Sequence, residues 1–162
     1  MSTVLLFPSH KFISNLPPLR HLFTDASDLG MGAVLEANGV IEVRSREWSP
    51  EEKEWPIYVR ELIAAHEGLK IFIPPLTSEC PVLAVDNTTA YFSIINGRAQ
   101  CPFANEIVGD IRKRWNLWII WIPSEIMPAD GPSRSTVDPL VAEKANLVAT
   151  HANQRVFLPR LY

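Results

Sequence analysis

LRHLFTDASDLGMGAVLEANGVIEVRSR, residues 19–46, carries three strand-length runs in close succession, at 19–24, 31–36 and 40–46. Asn38-Gly39 separates the last two, and Asn-Gly supplies the consecutive positive-φ residues of a tight hairpin turn. The stretch therefore predicts an antiparallel meander. Asp25 follows the first run directly, at the head of DASDLGMGA (25–33), so its carboxylate falls at a strand end.

Outward from the meander, the period changes from two to 3.6. Ser49-Pro50-Glu51-Glu52 has the form of a capping box with proline at the first helical position. Pro56 interrupts it, so the main helix is expected from about 56 to 73, where Pro74-Pro75 ends it. A short buried strand at 82–85 follows, then a helix over 87–95 closed by Asn96-Gly97, and a second helix over 103–115. Residues 117–122 are apolar at every position, as a strand covered on both faces must be. Asp138 caps a further helix that opens with Pro139 and reaches about 149. A meander followed by strands alternating with helices describes an α/β fold. The expected sheet is mixed and five-stranded, an antiparallel meander plus two parallel strands, with helices on its faces. Residues 1–18, with Pro8, Pro17 and Pro18 and no sustained period, read as a connector or arm. Residues 19–150 read as the domain, and 151–162 as a tail.

With 47% apolar side chains and 162 residues, one sizeable core is affordable and two are not. The longest apolar runs are stopped by Pro8 and Pro123, well short of a membrane span, which leads to an expectation of an intracellular setting, in cytoplasm, nucleus or a retroelement or virus particle. Cys80 and Cys101 stand alone and are expected to be buried thiols rather than a disulfide or zinc site. The net charge of −3 argues against a phosphate-binding surface, but two divalent cations held by carboxylates would more than cancel it.

Four acids sit where surface charge does not belong. Asp25 and Asp86 each follow a strand, and in open α/β sheets ligands bind beyond strand ends. On the main helix, Val59, Leu62, His66, Leu69 and Ile73 form an apolar stripe, while Arg60, Glu67 and Lys70 form a solvated face. Glu61 belongs to neither. It lies among Ile57, Tyr58, Ala64, Ala65 and Gly68, small enough in part to let the helix approach a sheet closely. A lone carboxylate there would cost several kcal/mol, roughly, without a cation or hydrogen bonds to compensate it. Asp130 follows the last apolar strand, within IPSEIMPADGPSR (122–134). Crowded carboxylates raise one another's pKa unless cations neutralise them, and hard oxygen donors suit Mg²⁺, with Mn²⁺ as a substitute. The chemistry so implied is two-metal hydrolysis of a phosphodiester.

In order and spacing, DASxxGxGA at Asp25, ELIAA at Glu61, VDNT at Asp86 and IPSxxxPADxPSR ending at Arg134 resemble the RNase H domain of reverse transcriptases. The last segment is most similar to hepadnaviral and retrotransposon polymerases. The resemblance implies that Asp25, Glu61, Asp86 and Asp130 bind two Mg²⁺ ions, one activating water and one stabilising the leaving 3′ oxygen, in cleavage of the RNA strand of an RNA/DNA hybrid. It also implies a polymerase portion in a larger polyprotein as partner. Ser27, Gly32 and Asn87 match family positions near the hybrid's minor groove, where the 2′-hydroxyl marks RNA. Arg98 and the run Arg112-Lys113-Arg114 are candidates for phosphate contacts. Trp115, Trp118 and Trp121 read as core aromatics, and His66 as a satisfied core histidine. The sequence departs from many members in lacking a histidine between His66 and His151. Two other readings are open at this point: a catalytically idle nucleic-acid- or protein-binding module, and a two-metal DNA nuclease on the same fold.

Overall fold

The computed structural model describes residues 19–151 and 154–161, so the expected arm at 1–18 lies outside the described residues. Three strands form the meander: β1 (His21–Ala26), β2 (Gly30–Ala37) and β3 (Val40–Glu47). Asn38 and Gly39 take φ of 54° and 78° at the hairpin, the two positive values its turn demands. β4 (Val82–Val85) and β5 (Leu117–Trp121) then add in parallel on the other side of β1. A sixth strand, β6 (Val156–Leu158), pairs antiparallel with β5 and completes the order β3-β2-β1-β4-β5-β6. The expected mixed sheet is present with one strand more than expected, contributed by residues read as tail.

The helices are α1 (Ile57–Phe72), α2 (Thr88–Asn96), α3 (Pro102–Arg114), α4 (Asp130–Ser133) and α5 (Val141–His151). Ser49 and Glu52 do form the reciprocal capping box, each side chain accepting from the other's backbone N–H at 3.2 and 2.8 Å. It caps only the single 3₁₀ turn Glu52–Glu54, because Pro56 forces a new start. Asp138 accepts from Leu140 N–H at 2.9 Å, and the following helix begins at Val141 rather than at Pro139.

The larger core fills the face of the sheet under α1, α2 and α3, with Leu22, Leu62, Leu69, Leu83, Ile111 and Leu117 buried in it. α1 lies close because a Cβ on Gly68 would come 2.7 Å from Thr24 Cγ2. The second face carries Phe23, Val34, Ala84 and Ile120 under Ala145 and Val148 of α5. α4 sits against β2 on a tighter contact still. A Cβ on Gly32 would lie 2.5 Å from Ser133 N and 2.6 Å from Ala129 O, both rigid backbone. Gly32→Ala is accordingly expected to cost about 1–3 kcal/mol, the scale of overpacking. Urea unfolding checks it: the midpoint should fall while the m-value stays constant.

Candidate active site

β1 and β4 are hydrogen-bonded parallel neighbours, so the acids at their ends share one edge of the sheet. Asp25 is the penultimate residue of β1 and is 4% exposed. Glu61, one turn into α1, is 3% exposed, on the side of the helix that meets the sheet. Its Oε1 accepts the Ala26 N–H at 2.7 Å, while Oε2 is buried with no partner among the described residues. Asp86 comes immediately after β4 and is half-buried. One carboxylate oxygen from each of the three lies within 4.8 Å of the others.

The electrostatics follow from that crowding. Burial, then the charge of Asp86, pushes the Asp25 carboxyl up to about 7. Burial, then neighbouring Asp25, pushes Glu61 up to about 10. Burial also raises Asp86, opposed by the Ser124 hydroxyl on its carboxylate. Asp130 opens α4 and lies outside the three-residue cluster, yet near enough that its charge raises both Asp25 and Asp86. Its Oδ1 is 3.5 Å from Arg134 Nε. An all-oxygen donor set that holds one orphaned buried oxygen fits a hard divalent cation of the Mg²⁺ or Mn²⁺ kind.

The remaining candidates are placed as follows. The Ser27 hydroxyl is buried and donates to the Ser133 carbonyl at 2.7 Å, tying the β1–β2 turn to α4. The Ser27 carbonyl accepts from Trp48 Nε1 at 2.8 Å and from Arg60 at 3.0 Å, so Arg60 is not on a solvated face but clamps the same turn. Gly32 pairs with Asp25 across the β1–β2 ladder. Asn87 caps α2, its side chain accepting from Ala90 N–H at 2.9 Å. Arg98 is exposed in a groove of about 620 Å³ that also involves Tyr58, Thr88, Phe92 and Gln100. Tyr58 lies one turn before Glu61 on α1 and Thr88 two residues after Asp86, while the acids themselves do not line the groove.

Residues 19–100 match the family model described as the RNase H-like domain found in reverse transcriptase. The chain belongs to that family. The matched span holds Asp25, Glu61 and Asp86, while Asp130 lies beyond it. No curated protein matches at the sequence level. Among solved structures, LC11-RNase H1 in complex with an RNA/DNA hybrid is similar at TM-score 0.51 and 18% identity, over 74% of this chain and 96% of that one. The N-terminal RNase H domain of rv2228c from Mycobacterium tuberculosis, solved as a maltose-binding-protein fusion, gives TM-score 0.49 and 14% identity over 79% and 99%. RNase H1 from the halophilic archaeon Halobacterium salinarum gives 0.45 and 11% over 75% and 100%. At these identities the first likeness speaks to the fold.

Three expectations for this RNase H-like domain need correction. Arg112 is not a phosphate contact: it is 6% exposed and donates to the Ile94 and Ile95 carbonyls at 2.9 and 2.8 Å, capping the end of α2. Cys80 and Cys101 are free as expected but half-buried. Trp121 is no core aromatic. It is 47% exposed against 2% for Trp115, and its indole N–H donates to the Asp86 carbonyl at 2.9 Å. In the sequence it is indistinguishable from the apolar run 117–122 around it. His66 behaves as read, with Nε2 2.6 Å from Asp110 Oδ2 and its ring edge-on to Trp115.

Proposed function

We propose that this domain is a metal-dependent endoribonuclease that cleaves the RNA strand of RNA/DNA hybrids, as the nuclease portion of a reverse transcriptase. The observation that carries the reading is the meeting of three carboxylates from β1, α1 and the end of β4 within 4.8 Å, one of whose oxygens, Glu61 Oε2, is buried with no partner among the described residues. Asp25, Glu61 and Asp86 would hold the ions, with Asp130 completing the set from α4. Bound there, Mg²⁺ would supply Lewis-acid activation of water and charge stabilisation at the leaving 3′ oxygen. The protein's share is placement. Glu61 is aimed by the Ala26 N–H, Asp25 is fixed by its ladder to Gly32, and Asp130 is brought in by the Ser27–Ser133 tie.

The hybrid in the LC11-RNase H1 structure supports the same substrate class here. The strand to be cut would cross the acids, with the Ser27 turn, Gly32 and Asn87 beneath it. Arg98, in the neighbouring groove, would meet a phosphate. Grip should be weak. Arg20, Arg46, Arg114, Arg134 and Lys144 are all engaged with carboxylates, and Arg112 is buried. The polymerase portion of the parent protein would supply the rest, in the cell or in a particle.

Labelled RNA/DNA hybrid, duplex DNA and duplex RNA, each incubated with Mg²⁺ or chelator, test the reading. The expected result is metal-dependent cut RNA from the hybrid alone, with 5′-phosphate ends. Binding should fall with salt at a slope shallower than about −4, since each neutralised phosphate contributes roughly −0.9. Cleavage of duplex DNA instead would favour a DNA nuclease, and binding without any cleavage an idle module.

A further inference from the structure

We propose that Trp121 is a positioning residue for Asp86: its indole N–H clamps the main-chain carbonyl of that acid and so fixes where the carboxylate stands in the cluster. The inference rests on the nuclease reading, because it concerns how one of the proposed metal ligands is held.

Asp86 occupies a one-residue joint. Val85, paired with Trp121, is the last residue of β4, and the final backbone bond between these strands runs from Ile122 N–H to the Val85 carbonyl at 3.0 Å. Asn87 already caps α2, so the peptide between them changes from strand to helix in a single step. β5 does not continue the ladder, since Pro123 and the 3₁₀ turn Ser124–Ile126 follow it directly. The Trp121 indole takes over, donating at 2.9 Å to the Asp86 carbonyl just past the last register pair.

One further feature marks this contact: Trp121 is 47% exposed at the sheet's end, yet its N–H is directed at the Asp86 carbonyl. Groups that orient a metal ligand without touching the metal typically account for about 10- to 100-fold in affinity or rate.

Trp121→Phe keeps an aromatic ring and removes the donor. In the full chain it is expected to weaken Mn²⁺ binding, measured by calorimetry without substrate, by about 10- to 100-fold. kcat on hybrid should fall on the same scale while KM stays unchanged, because the hybrid's own contacts are not involved. The melting temperature in chelator should match wild type. Incorporating β-(3-benzothienyl)alanine at 121, which puts sulfur where the indole has N–H, should reproduce these losses without altering ring shape. That variant decides the matter if Trp121→Phe is unstable. Wild-type Mn²⁺ affinity and kcat in both variants would overturn the clamp alone. A raised KM with kcat intact would overturn it too, by making Trp121 a substrate contact. A wild-type chain that neither binds Mn²⁺ nor cleaves hybrid would sink the nuclease reading, and the clamp with it.

Discussion

Asp25→Asn should reduce hybrid cleavage by roughly 10³-fold or more, the scale expected when one of several groups acting as a unit is removed. The same variant should be more stable than wild type in chelator. Asp25 is 4% exposed, within 4.8 Å of Glu61 and Asp86, and its carboxyl is held up at about 7 by burial and by Asp86. An asparagine of the same shape carries no charge into that crowd. Its amide can also donate to a carboxylate oxygen, and Glu61 Oε2 is the neighbour that lacks a partner. Relief of like-charge contact on the order of 1–2 kcal/mol would raise the melting temperature by about 3–6 °C in a domain of this size. Added Mg²⁺ should then stabilise the variant less than it stabilises wild type. Near-normal cleavage by Asp25→Asn would falsify the metal-site assignment.

The second large effect is on pH dependence without metal. Glu61 is shifted from an ordinary 4.5 to about 10, and Asp25 from 3.8 to about 7. Between the unfolded and folded values the native state binds more protons than the unfolded chain, so stability falls as pH rises. Each unit crossed costs about 1.4 kcal/mol. The cleanest window is pH 7 to 8.5. His21 and His66 are both lowered by burial, so they are neutral there in the fold and largely neutral when unfolded. Glu52, lowered to about 2 by Arg46, titrates far below that window. The melting temperature in chelator should therefore drop steadily across the window, and Glu61→Gln should flatten the curve. Saturating Mg²⁺ or Mn²⁺ should shrink the drop, because ion binding expels the protons that burial retains. A flat wild-type curve in chelator would mean that Glu61 is not buried among carboxylates in solution.

Those results would bear on features the sequence carried unevenly. Glu61 was legible because it broke the pattern of its own helix, standing apart from both the apolar stripe and the charged face. Asp25 and Asp86 were legible as acids at strand ends, and the missing step, whether β1 and β4 are neighbours, is now filled by their parallel ladder. β6 was not legible. Three residues, of which Val156 and Phe157 are partly exposed, become a strand only because the edge of β5 is there to receive them. α4 was hidden for a different reason: Asp130-Gly131-Pro132-Ser133 has turn composition, and its helical form depends on docking against Gly32. Arg112 looked like the start of a basic run and proved to be an interior cap, since the run itself does not tell which of its three basic residues faces inward.

The Ser27–Ser133 hydrogen bond joins residues 106 positions apart, and with it the turn after Asp25 to the helix that bears Asp130. A nascent chain leaving the ribosome meets these residues at very different times. While synthesis stands between residues 86 and 133, the first three acids are present but the fourth lacks its anchor. The same separation makes the domain suited to division. Two fragments parted in the loop between α2 and α3 would each carry one half of the Ser27–Ser133 tie, and the proposed nuclease activity would report their reunion.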